Sequence, residues 1–84
     1  MIEIEKADAQ SLSSINSVYQ VSWDEAFVVV GFKHDARVYE ILKESAQGAW
    51  MVSPKYSSVN FAVVNKESDA ILLRLALEDQ EGEN

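Results

Sequence analysis

The amino-acid sequence predicts an α+β domain: an antiparallel sheet of four to five strands with one amphipathic helix, near residues 36–47, packed on one face. Three observations lead there. Apolar residues recur at helical spacing along residues 38–49, whereas residues 2–5 and 15–32 show alternating or continuous apolar runs. Polar, turn-forming clusters separate these segments. A chain of 84 residues holds one domain, since domains usually run to ~100–150.

Taken in order, Ile2 and Ile4 alternate with Glu3 and Glu5, the pattern of a half-buried edge strand. Asp8 to Ser14 is polar and Ser-rich; it reads as a loop, or as a poor helix capped by Asp8 with Leu12 and Ile15 inward. Ile15, Ser17, Tyr19, Val21 and Trp23 share one parity, so residues 15–23 are expected to form a strand. It would pair as a hairpin, across Asp24 and Glu25, with the apolar run Phe27 to Phe32. The helix follows. Val38, Ile41, Leu42, Ser45, Ala46 and Ala49 make one stripe, with Asp35 placed to cap its start and Gly48 to end it in the left-handed region. Met51 to Ser58 reads as a loop fixed by Pro54, and Val59, Phe61 and Val63 as one face of a strand. Asn65 to Asp69 supplies turn chemistry. The Leu-rich run 70–77 fits a helix or a strand by period; its short length and the preceding turn favour a last strand, with Ile71, Leu73, Leu75 and Leu77 inward.

Fourteen acidic against seven basic residues give a net charge of −7. Residues 78–84 hold four of the acids and no base, leaving a net of −3 for residues 1–77. The expected organisation is therefore a single domain over 1–78 and an acidic, disordered tail over 79–84. The seven bases are scattered without a run, which disfavours direct binding to nucleic acid. No apolar run approaches the ~20 residues of a membrane span. The first five residues lack the basic and apolar blocks of a secretory signal, and the expected location is cytoplasmic, in a bacterium or an infected host cell. Cysteine is absent, so thiolate metal sites are excluded.

No catalytic set emerges. His34 is the single histidine, and beside Asp35 it stands at a strand-to-helix junction where both are ordinary loop and cap residues. The carboxylate pairs Asp24/Glu25 and Glu40/Glu44 lack a basic or aromatic wall and read as solvated surface or contact points. Gly31, Gly48 and Gly82 are too far apart to cradle a phosphate. The positive hint is aromatic: Trp50 and Tyr56 flank Pro54 and Lys55, and such side chains anchor protein interfaces because they bury much area for little rotamer entropy. Trp50 has an equally simple role as the apolar contact that closes the helix end.

Residues 38–56, from Val38-Tyr39-Glu40 through Gly48-Ala49-Trp50 to Tyr56, resemble the helical end of the KTSC domain, a short module named after a lysyl-tRNA synthetase C-terminus. No residue role is carried across from it. In size and acidity the chain is similar to phage-encoded inhibitors and to bacterial immunity proteins that block nucleases. The expectation is thus a non-enzymatic, cofactor-free protein-binding module that inhibits or regulates a larger, basic-faced enzyme through Glu40, Glu44, Trp50 and Tyr56. A small self-assembling or small-ligand-binding subunit is the alternative. One helix leaves the second sheet face partly bare, so a homodimer through Leu72 and Ala76 is expected to cover it.

Overall fold

The structure, a computed structural model, describes residues 2–33, 35–53 and 60–81. The elements run β1 (Glu3–Lys6), α1 (Ala9–Tyr19), β2 (Phe27–Val30), α2 (Asp35–Ser45), β3 (Trp50–Val52), β4 (Phe61–Val64) and α3 (Glu67–Glu81). The four strands form one antiparallel sheet in the order β1-β2-β4-β3, in agreement with the expected α+β class.

Register decides the faces. Phe27 lies opposite Val64, and Val29 opposite Ile4 and Ala62, while Trp50 and Val52 lie opposite Val64 and Ala62. These residues share the face that packs against α2 and α3, where Val38, Leu42, Ala70, Leu73 and Leu77 are buried with them. The other parity, including Val28, Met51, Phe61 and Val63, faces the opposite side. There Ile15, Val18 and Tyr19 of α1 stand over Val28, Phe61 and Val63, around an open apolar cavity of about 240 Å³.

Two expected strands are helices. Residues 15–23 do not pair with β2: 15–19 complete α1, and 20–23 lead out of it. The cap overrides the alternation. Asp8 Oδ1 accepts the Ser11 N–H at 2.8 Å, and Gln20, left-handed at φ 56°, ends the helix by donating its N–H to the Asn16 carbonyl. The cap hydrogen bond from Ser11 holds the Asp8 carboxyl below its ordinary pKa. Asn16 then accepts the Trp23 N–H and donates to the Trp23 carbonyl, both at 3.1 Å, pinning the exit loop to the helix. β2 finds its partner instead in β1, which is the edge strand foreseen from Ile2 and Ile4.

The run 70–77 lies inside α3, not in a strand. Glu67 and Asp69 in the first turn complement the helix dipole, and Ala and Leu favour helix over sheet. Ala70, Leu73 and Leu77 are fully buried at i, i+3 and i+7, whereas Leu75, expected inward, is 60% exposed. The α3 backbone continues to Glu81; residues 82–84 of the acidic tail lie outside the described residues.

The expected amphipathic helix is present as α2, with Val38, Ile41 and Leu42 buried, though it ends at Ser45. Gly48 does not end it in the left-handed region; among the described glycines only Gly31 has positive φ, at 92°. Gly48 is needed for space. A Cβ there would collide with Asn65 Oδ1 and lie 2.9 Å from Lys66 Cγ.

Candidate functional site

The short third strand makes one edge of the sheet, and its backbone polarity follows from its pairing. Ser53 donates its N–H to the Phe61 carbonyl at 2.8 Å, and Asn65 donates to the Ala49 carbonyl at 3.1 Å. Residues 49, 51 and 53 therefore turn their backbone groups toward β4. Because antiparallel pairing alternates, the N–H and C=O groups of Trp50 and Val52 point outward along the open edge.

Beside this edge runs a groove of about 540 Å³ lined by Tyr19, Ala36, Tyr39 and the strand residues Trp50 to Ser53. None of the described lining residues is charged. The Tyr39 and Trp50 rings meet edge to face, centroids 5.2 Å apart at 78°, and Tyr39 remains 50% exposed. Such an aromatic wall gives a partner rigid area at little entropic cost.

A hydrogen-bonded hub holds the strand in place. The Asp69 carboxylate, from the first turn of α3 and only 1% exposed, accepts the Gln47 N–H at 3.0 and 3.1 Å and the Gly48 N–H at 2.9 Å. Asn65 Oδ1 accepts the Ala49 N–H at 3.2 Å. At the other end Ser53 is buried and its Oγ accepts the Phe61 N–H at 3.2 Å. The chain leaving α2 is thus anchored at three consecutive residues, 47 to 49, on its way into β3, which sets the Trp50 ring beside Tyr39.

The expected site residues are distributed as follows. Trp50 lies in the groove wall and also packs against the core. Glu40 and Glu44 are exposed on α2, with Glu40 in an ion pair to Arg37 at 3.6 Å. On a helix these glutamates lie about 100° or more round from Tyr39, toward solvent. Tyr56 and His34 lie outside the described residues. Leu72 is 36% exposed and shares the outer side of α3 with Ile71 and Leu75, while Ala76 is partly buried against the core. Tyr19, Tyr39 and Val52 were not foreseen. Tyr39 had a signal, an aromatic residue beside the polar face of an otherwise regular amphipathic stripe.

Among the described residues no three acidic or histidine side chains gather into a group that could hold a metal ion, and no helix is long and apolar enough to cross a membrane. Comparison with protein-family models, curated proteins and solved structures finds no match to this chain.

Proposed function

We propose that the chain is a non-enzymatic protein-binding module, an inhibitor or regulator of a larger protein with a basic surface, and that it works through the groove beside β3. The observation that carries this reading is the aromatic-walled groove of Tyr19, Tyr39, Trp50 and Val52, uncharged among the described residues, in a chain whose net charge is −7. Apolar and aromatic contact would hold the partner, and the acidic surface, including Glu40 and Glu44, would steer it.

The test is kinetic. A partner captured from the native host is bound to the parent chain, to Tyr39→Ala and to Glu40→Lys/Glu44→Lys. Truncating Tyr39 should speed dissociation about tenfold or more, as expected of an interface anchor. Reversing the glutamates should slow association and flatten its salt dependence. If neither variant alters either rate, the groove is not the working surface.

A second reading, a small-ligand-binding or self-assembling subunit, draws on two other features. The cavity beneath α1 is lined almost wholly by apolar side chains, and Ile71, Leu72 and Leu75 expose an apolar outer side of α3 that a second copy would cover. A small molecule that co-purifies in place of a protein would favour this reading.

A further inference from the structure

Resting on the reading of the groove as a protein-binding site, we infer that its occupant is an extended segment of the partner, carrying basic residues at alternate positions, which adds to the sheet as a fifth strand beside β3. The sheet has two edges, and they differ. The β1 edge presents Glu3, Glu5 and Lys6, with Lys6 paired to Glu25 at 3.9 Å, charged groups of the kind that keep edges from pairing. Among the described residues the β3 edge presents no charge, and no strand lies beyond it.

Along that edge Trp50 and Val52 each offer an outward N–H and an outward C=O, four groups in the spacing that an added strand satisfies. A helix or a globular surface would leave them to water. The groove walls then specify side chains. A residue of the incoming strand opposite Trp50 or Val52 places its side chain on the α2 side, beside the Tyr39 and Trp50 rings. Ring faces carry negative quadrupole potential and attract guanidinium or ammonium groups. On α2 Lys43 lies one turn along from Tyr39 while Glu40 and Glu44 lie about 100° or more round the helix, so the attraction for a basic segment comes from the ring faces and from the net charge of −7. A residue opposite Met51 falls on the other face, toward Met51 and Tyr19, where an apolar side chain fits. The net charge of −7 on every copy favours this basic segment over a second copy of the chain.

Residue-by-residue amide hydrogen exchange tests the inference, with an acetylated and amidated hexapeptide of alternating Arg and Val as probe. In the free chain the Met51 and Ser53 amides should exchange slowly and those of Trp50 and Val52 quickly. At about 1 mM probe, a concentration suited to a short peptide, the Trp50 and Val52 amides should slow about tenfold. The alternating Glu and Val hexapeptide should leave them unchanged. Val52→Pro removes an outward donor without touching the β4 ladder, and should abolish the protection of Trp50; Val52→Ala, which keeps the donor, should retain it. Unchanged exchange at Trp50 and Val52 under the basic probe overturns the inference. So does protection already present in the free chain and lost on dilution, which would assign the edge to a second copy. If strand pairing fails in this way while Tyr39→Ala still speeds release of the captured partner, the groove remains the binding surface and only the mode is wrong.

Discussion

Replacing Asp69 by Ala tests whether the hub that positions β3 is a structural necessity. The carboxylate is 1% exposed and accepts from two backbone donors, Gln47 and Gly48. A hydrogen bond to a charged group is worth about 1.5–3 kcal/mol net, and a buried donor left without its acceptor costs a similar amount, so two donors give roughly 3–6 kcal/mol. Gln47 is exposed and Gly48 half-buried, so water replaces part of the lost interaction and the expected cost falls to about 2–4 kcal/mol. That is a large share of a typical domain stability of ~5–15 kcal/mol.

Urea unfolding reads the result as a lower midpoint at unchanged slope, because the surface exposed on unfolding is the same. Thermal melting should show a fall of roughly 10–25 °C for a domain of this size. Asp69→Asn keeps one acceptor oxygen and should lose about 1–2 kcal/mol. The same substitution should loosen the strand, so amide exchange at Met51 should accelerate more than at Val29 in the sheet centre. A change within about 0.5 kcal/mol for Asp69→Ala would refute the reasoning, since it is what a surface position gives.

Gly48→Ala should cost about 1–3 kcal/mol by overpacking, because the new Cβ meets Asn65, whose Oδ1 is held by Ala49; a neutral result in urea unfolding would mean that the turn yields freely. Leu73→Ala should lose about 2–5 kcal/mol while Leu75→Lys stays within about 0.5 kcal/mol, since one side chain is fully buried and the other 60% exposed. Equal losses would place both on one strand face, as period 2 requires. The depressed Asp8 pKa makes its cap contribution complete above the ordinary carboxylate range and lost as pH falls through the lowered value; Asp8→Ala should therefore flatten the acid limb of stability against pH.

What was legible followed from short-range pattern. The stripe Val38, Ile41, Leu42 gave α2, and the alternation of Ile2 and Ile4 gave an edge strand, because each signal lies within a single element. The failures came where two periods fit the same letters. Ile15 and Tyr19 lie four apart as well as on one parity, so a strand and a helix both bury them. The decision rests on Asp8 and Gln20, whose hydrogen bonds are those of helix ends, with the Asn16 clamp tying Trp23 back to the helix. In residues 70–77 apolar residues of both parities hid the phase, and only the acidic first turn upstream marked a helix start.

The groove was less legible for a reason of its own. Its aromatic residues come from α1, α2 and β3, and none of these is meaningful for binding until the others are placed. Trp50 could be singled out as an aromatic residue after a helix, yet its sequence neighbours say nothing of which way its backbone groups point. That direction depends on pairing with β4, a contact between residues 49–53 and 61–65 that no local pattern announces. Once the register is set, the outward groups at Trp50 and Val52 follow by alternation alone, and the Tyr39 ring 5.2 Å from Trp50 supplies the wall. A one-residue slip of β3 would turn Trp50 and Val52 inward to β4 and put Met51 at the open edge in their place. The hub of buried Asp69 and half-buried Asn65 prevents that slip, since it ties residues 47, 48 and 49 one by one to the start of α3 and the end of β4. Residues remote from the groove in sequence thus set its hydrogen-bonding polarity, and the stability of the hub and the specificity of the edge are one physical requirement.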